Sequence, residues 1–127
     1  MFDKLPKHHI GFIVPVSQRA PIEGRLGKAF HLDAIQGTHV VFAYDSALGL
    51  YIEYICQEGR AAKQPPGFAH VCYGLRDRDQ LKEVEDFIAA QKLGYPVTEL
   101  EKSGSVECGF IKFYYLKNHG VIELNVP

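Results

Sequence analysis

Residues 9–14, His-Ile-Gly-Phe-Ile-Val, and residues 70–75, His-Val-Cys-Tyr-Gly-Leu, are two short runs that each open with a histidine. Their β-branched and aromatic residues are typical of strands. Residues 50–55, Leu-Tyr-Ile-Glu-Tyr-Ile, and residues 120–125, Gly-Val-Ile-Glu-Leu-Asn, form a second pair, in which one glutamate stands inside an apolar strand. The chain therefore contains a weak internal repeat, and each copy begins with His and ends with Glu.

A linker separates the two copies. Residues 64–67, Gln-Pro-Pro-Gly, cannot continue a helix or a central strand, because proline lacks an amide proton and fixes its own backbone. We therefore predict a first module over residues 6–57 and a second module over residues 67–126. A chain of 127 residues can bury roughly two-thirds of its surface, so both modules are expected to form one domain, residues 1–127.

The second module predicts the order β-α-β-β-β. Asp77 and Gln80 have the spacing of a capping box, and apolar residues follow at helical intervals. Gly94 is expected to end this helix. The strands predicted after it cover residues 97–100, 110–115 and 121–125.

The first module predicts the same order with a poorer helix. Pro21, Gly24 and Gly27 disfavour a helix, which leaves residues 26–30 as the best helical segment. Further strands are predicted at residues 38–44 and 50–56. The fold class expected from the two modules together is α+β.

The composition is that of an ordinary globular protein, with 46% hydrophobic and 23% charged residues. A net charge of -1 argues against nucleic acid as a partner, because phosphate binding needs a basic excess. No apolar run reaches the ~20 residues of a membrane span, and residues 1–7 lack the apolar segment of a secretory signal. Cys56, Cys72 and Cys108 have no metal-binding spacing, so we expect reduced thiols that fill the core or its edge in a cytoplasmic protein.

The histidines and glutamates of the repeat are donors suited to a divalent ion such as Co, Ni, Zn, Mn or Fe. They are His9, Glu53, His70 and Glu123. An ionised carboxylate that faced an apolar core without a cation would be costly, and if that face of the strands lines a cavity, a metal ion there would balance the charge. The alternative is that both carboxylates lie on the outer, solvated face of the sheet, the commoner place for a single strand glutamate.

The other polar candidates are weaker. His8 is expected to point to the opposite side of the strand from its neighbour, and so to lie at the surface or behind the ligands. His31 and His119 are expected to be solvated. His39 lies in a strand that could face the cavity and is the best additional candidate for a catalytic role. Residues 103–105, Ser-Gly-Ser, could bind a phosphate through backbone amides, although a plain turn is the simpler interpretation.

Four motifs in this order resemble the vicinal oxygen chelate superfamily, which includes glyoxalase I, extradiol dioxygenases, bleomycin-resistance proteins and methylmalonyl-CoA epimerases. The resemblance is strongest to the epimerase group and covers nearly the whole chain. The motifs are a histidine before an apolar strand at residues 9–14, a glutamate before apolar residues at 51–55, Gly-x-x-His at 67–70, and Gly-Val-x-Glu-Leu at 120–124.

The resemblance implies an open, eight-stranded mixed barrel built from two βαβββ modules, with a divalent metal ion between them, and a homodimer. The ligand set that it implies is His9, Glu53, His70 and Glu123. It places Glu123 nearest to a base role. The epimerase group also has a carboxylate shortly after a Gln-Gly pair in its first module. Here Gln36 and Gly37 are followed by no acid, so either His39 takes its place or the protein does not catalyse a two-base epimerisation.

The activity that the resemblance implies is that of a metal-dependent epimerase, isomerase or lyase, acting on a small acyl-thioester or keto substrate through an enolate. The candidate proton-transfer residues are Glu123, Glu53 and His39. One alternative is an extradiol-type Fe(II) dioxygenase, whose facial triad would be His9, His70 and Glu123. The other alternative is a non-catalytic protein that binds a small molecule, as in bleomycin resistance. The presence of Glu53, and hence of a full ligand set, disfavours both.

Overall fold

The computed structural model describes residues 1–104 and 109–127. Cys108 and Ser105 lie outside the described residues. The first half contains β1 (Lys7–Val14), α1 (Arg19–Leu26), β2 (His31–Asp33), β3 (Thr38–Asp45) and β4 (Leu50–Cys56). The second half contains β5 (Gly67–Gly74), α2 (Arg78–Ala90), β6 (Gly94–Pro96), β7 (Glu101–Lys102), β8 (Phe110–Leu116) and β9 (Gly120–Val126). Neither α-helix, nor any other described helix, is long and apolar enough to cross a membrane.

The strands form one mixed sheet in the order β2-β3-β4-β1-β5-β9-β8-β6, with β7 paired to β8. β1 runs parallel to β4, and β5 runs parallel to β9. β1 and β5 are antiparallel, and their pairing joins the two halves at the centre of the sheet. The end strands β2 and β6 are not paired with each other in the described part of the chain, so the sheet is open. The predicted α+β class is confirmed.

Helix α2 forms where its apolar spacing predicts. Asp77 caps it, because its Oδ1 accepts a hydrogen bond from the backbone N–H of Gln80 at 2.8 Å. Its buried face, Leu81, Val84 and Ile88, packs against β8 and β9 in the larger apolar core. A smaller core lies under α1.

Helix α1 is displaced from its predicted position. It covers Arg19–Leu26 and not residues 26–30. Pro21 lies in the first turn, where the missing amide proton costs nothing, and Gly24 is exposed. Gly27 adopts a left-handed conformation at the C-terminal cap, so this glycine ends the helix before the segment that was predicted to be helical.

Two predictions after α2 are also wrong. The helix ends at Ala90, before Gly94, and Gly94 instead lies in β6, where a side chain would collide with the carbonyl oxygen of Tyr115. The strand predicted over residues 97–100 is absent; β6 and β7 lie on either side of it. With these two short strands the described residues form nine strands, in place of the eight expected.

Candidate functional site

The four central strands bring the repeated histidines and glutamates together. β1 carries His9, β4 carries Glu53, β5 carries His70 and β9 carries Glu123. In the register of the sheet Glu53 pairs with Gly11, which lies two positions after His9. Glu123 likewise pairs with Cys72, which lies two positions after His70. Side chains two apart in a strand share a face, so histidine and glutamate point to the same side. All four side chains are buried, between 1% and 6% exposed, so the solvated alternative is wrong.

The donor atoms of these residues lie within 4.8 Å of one another. Nε2 of His9 is 3.1 Å from Nε2 of His70 and 3.2 Å from Oε1 of Glu53. Nε2 of His70 is 3.5 Å from Oε1 of Glu53 and 3.3 Å from Oε1 of Glu123. Oε1 of Glu123 is 3.8 Å from Nε2 of His9.

This cluster fits a divalent metal ion. Ligand atoms held about 2.1 Å from such an ion lie roughly 3.0 to 3.4 Å apart when neighbouring bonds meet at about 90 to 110°. The separations above are close to that range. Two imidazoles and two carboxylates are also the mixed N/O donor set that Co, Ni, Zn, Mn and Fe accept. Two buried carboxylates carry two negative charges, which one divalent cation neutralises.

The electrostatics of the metal-free cluster follow from burial and close contact. Burial lowers the pKa of His9, but the close carboxylates of Glu123 and Glu53 outweigh it and raise this pKa to about 9. Burial raises the pKa of Glu53, but the close imidazoles of His70 and His9 outweigh burial and hold this pKa below its usual range. A proton on His9 therefore balances part of the carboxylate charge when no cation is bound.

Gly11 makes room for one of the imidazoles. A Cβ at this position would lie 2.5 Å from Cε1 of His70 and 2.8 Å from its Nε2. Gly11 pairs with His70 across β1 and β5, so the histidine ring lies over a strand position without a side chain. The glycine in the first motif is therefore part of the site.

Two residues contact the cluster from behind. The Cys72 thiol donates to Oε2 of Glu123 at 3.2 Å, and Nδ1 of His8 is 2.8 Å from Nδ1 of His9. Burial, followed by the nearby Glu123, raises the pKa of Cys72 well above its ordinary value. The pairing of β1 with β5 is irregular between Lys7 and His9, which explains why His8 does not point away from His9 as simple alternation predicts.

An open cavity of about 210 Å³ lies against the cluster. Its walls are mostly apolar, with Ile13, Val40 and Ile55 from the first half and Ile111 and Phe113 from the second. Glu53, His70 and Glu123 line the cavity, so a small molecule that enters can reach the donor cluster.

Asp33 is a cavity residue that the sequence analysis missed. This carboxylate is 2% exposed, and its Oδ1 accepts hydrogen bonds from the amides of Ile35 and Gln36. Burial raises its pKa, and the amides offset part of that rise. It lies in β2, a strand that the sequence pattern did not predict, so no signal in the chain pointed to the cavity.

The remaining histidines lie apart from the cluster. His39 is in β3, where both its backbone N–H and its ring Nδ1 contact Oε2 of Glu58, at 2.7 and 2.9 Å. His39 does not line the cavity, whereas its neighbours Thr38 and Val40 do. His31 and His119 are exposed, as expected.

No protein-family model and no curated protein matches this sequence. Solved structures do match. Methylmalonyl-CoA epimerase from Mycobacterium tuberculosis is 18% identical, with a TM-score of 0.66 over 95% of this chain and 87% of the other. A hypothetical protein from Bacillus halodurans is 17% identical, with a TM-score of 0.68 over 98% of this chain and 95% of the other.

A variant of the Streptomyces coelicolor methylmalonyl-CoA epimerase, in complex with 2-nitronate-propionyl-CoA, is 18% identical, with a TM-score of 0.64 over 97% of this chain and 98% of the other. The resemblance to the vicinal oxygen chelate proteins is therefore confirmed at the level of the fold.

Proposed function

We propose that this protein is a metal-dependent enzyme that removes and returns a proton at the carbon beside a carbonyl group, as an epimerase, isomerase or lyase does. The observation that carries the proposal is the convergence of two imidazoles and two carboxylates against a cavity lined by both halves. His9, Glu53, His70 and Glu123 would hold the ion. When bound, a divalent ion would stabilise the negative charge that develops on a carbonyl oxygen as the neighbouring C–H bond breaks.

The substrate class that we propose is a small acyl thioester or keto compound. The cavity volume of about 210 Å³ suits a small acyl group, and its apolar walls suit alkyl substituents. The similar Streptomyces coelicolor protein binds a coenzyme A derivative, which supports a thioester. The walls would also limit the access of water to the carbanion and so favour return of the proton.

The chain's own carboxylates would move the proton. Glu123 is our first candidate for the base, because it lines the cavity and is already fixed beside the cluster. Glu53 is the second. For a two-base reaction we assign the other acid to Asp33 in place of His39, since Asp33 faces the cavity and His39 is bonded to Glu58. The raised pKa of Asp33 favours a carboxyl group that can donate a proton.

The alternative activities have less support. An Fe(II) dioxygenase uses two histidines and one carboxylate and leaves the other positions open, whereas Glu53 lies within 3.2 Å of His9 and 3.5 Å of His70 as a fourth donor. A protein that only binds a small molecule has no need of a buried charged cluster, which is costly to retain. The two-module organisation, the homodimer and the cytoplasmic location stay predictions.

The test is proton exchange in heavy water. We expect protein purified without chelator to contain a divalent metal ion and to catalyse deuterium incorporation beside the carbonyl of methylmalonyl-CoA or a related acyl thioester, followed by mass spectrometry. Protein stripped with chelator should lose the activity and regain it on addition of metal. Protein that neither binds a divalent ion nor gains thermal stability from one would contradict the proposal.

A further inference from the structure

We infer that Cys72 is a positioning residue: its thiol donates a hydrogen bond to one carboxylate oxygen of Glu123 and leaves the other oxygen free to face the donor cluster. The inference rests on the proposed metal site. It assigns to this cysteine a task beyond filling space.

The geometry divides the two oxygens of Glu123 between two partners. Oε2 is 3.2 Å from Sγ of Cys72, while Oε1 is 3.3 Å from Nε2 of His70 and 3.8 Å from Nε2 of His9. Cys72 is 0% exposed and pairs directly with Glu123 in the register of β5 and β9. A buried thiol that donates a hydrogen bond to this carboxylate restricts the rotation of the Glu123 side chain.

The other half of the molecule offers a natural comparison. Gly11 occupies the position in β1 that Cys72 occupies in β5: it pairs with Glu53 as Cys72 pairs with Glu123. Glycine has no side chain, and the hydrogen-bond and ion-pair partners of Glu53 in the described residues are the two histidines. Among the described residues, Glu123 therefore has a hydrogen-bond donor besides the two histidines, and Glu53 does not.

The consequence concerns how Glu123 would bind an ion. A carboxylate can bind a metal ion through one oxygen or through both. Engagement of Oε2 by the thiol favours binding through Oε1 alone. A single-oxygen ligand would leave more of the coordination sphere for substrate oxygens, while the second oxygen would stay hydrogen-bonded to the thiol.

The experiment compares Cys72→Ala with Cys72→Ser, which keeps a hydrogen-bond donor. Cys56→Ala is the matched control, because Cys56 is equally buried but packs beneath α1, away from the cluster. Each protein is loaded with Co²⁺ alone, and its visible spectrum and Co²⁺ affinity are measured. We expect Cys72→Ala to change the spectrum and weaken affinity about tenfold, Cys72→Ser to restore most of both, and Cys56→Ala to match the wild type. If Cys72→Ala behaves like Cys56→Ala, the inference is overturned.

A second readout needs no metal. The infrared S–H stretching band of Cys72, identified as the band lost in Cys72→Ala, should shift in metal-free Glu123→Gln protein, because the acceptor loses its charge. An unshifted band overturns the hydrogen bond itself. If the wild type takes up no Co²⁺ but the band shifts, the proposed metal function fails while the thiol's contact with Glu123 stands, so the two failures are distinguishable.

Discussion

The two halves supply the same pair of donors but support them differently. In the first half Gly11 stands two positions after His9 and leaves space that the ring of His70 occupies. In the second half Cys72 stands two positions after His70 and holds Glu123 through its thiol. The comparison shows that matching strand positions bring the donors together, while the residues beside those donors differ between the halves. Five tests should separate these contributions, in order of decreasing expected effect.

The largest effect is expected from the two glutamates. Glu123→Gln should lower the rate of proton exchange about 10²- to 10⁴-fold, because an amide cannot accept the substrate proton. Glu53→Gln should mainly weaken metal affinity, since an amide oxygen still ligates without the charge. Exchange rates at saturating metal separate the two variants. Equal losses of rate at saturation would show that the halves share the base role.

Gly11→Ala should disturb the site through the opposite half. The new methyl group would lie 2.5 Å from Cε1 of His70, so the ring has to move and metal affinity should fall about 10- to 100-fold. Gly24→Ala is the control, because a Cβ there meets nothing within 4 Å. It should leave affinity unchanged and stabilise α1 by up to about 1 kcal/mol. Calorimetry with Co²⁺ and thermal unfolding measure both; unchanged affinity in Gly11→Ala would contradict the role of this glycine.

Metal uptake should release close to one proton at pH 7. The His9 pKa of about 9 means that its imidazolium must lose a proton before Nε2 can bind an ion, so apparent affinity should rise about tenfold per pH unit until pH 9. Calorimetry in buffers of different ionisation enthalpy counts the protons.

The same group predicts the stability of the metal-free protein. A folded-state pKa raised from 6.5 contributes stability that is complete below pH 6.5 and is lost as the pH rises through about 9. The melting temperature of metal-free protein should therefore fall over that interval. His31→Gln, which changes an exposed histidine, should show the same fall, whereas His9→Gln should not. A flat profile in the wild type would argue against the charged His9.

The smallest effect concerns the helices. Asp77→Ala should lower the free energy of unfolding by about 1 kcal/mol, because it removes the side-chain cap of α2. The corresponding residue of α1, Gln18, makes no side-chain cap, so Gln18→Ala should change the free energy of unfolding by less than about 0.5 kcal/mol. Urea unfolding measures the free energy of unfolding of both variants. Equal losses would show that the two helices do not differ in the contribution of their N-terminal caps.

The sequence predicts those features that local pattern controls. β4 lies at its predicted residues because a run of β-branched and aromatic side chains bounded by turns defines it. Helix α2 follows from its cap and its apolar spacing. Helix α1 does not, because its short apolar face gives a weak signal and tertiary packing of Ile22 determines its place.

The site shows the same division. The repeat predicts that His9, Glu53, His70 and Glu123 belong together, and the structure brings them together, although their role as ligands stays a prediction. The contact of His8 with His9 depends on an irregular pairing of β1 with β5, and the exposure of Asp33 to the cavity depends on a three-residue strand. Both arise from contacts distant in sequence, which no local pattern encodes.

The antiparallel junction of β1 and β5 has an evolutionary consequence. Across this junction His9 pairs with Cys72, and Gly11 pairs with His70. A twofold axis through the sheet would relate these two pairs, so that Gly11 and Cys72 occupy equivalent places. Two identical half-length polypeptides assembled about such an axis would be forced to carry the same residue at both places. A continuous chain is free of that constraint, so one half can have a glycine, Gly11, where the other has a thiol, Cys72. A single chain that contains both halves thus permits unequal surroundings for matching donors.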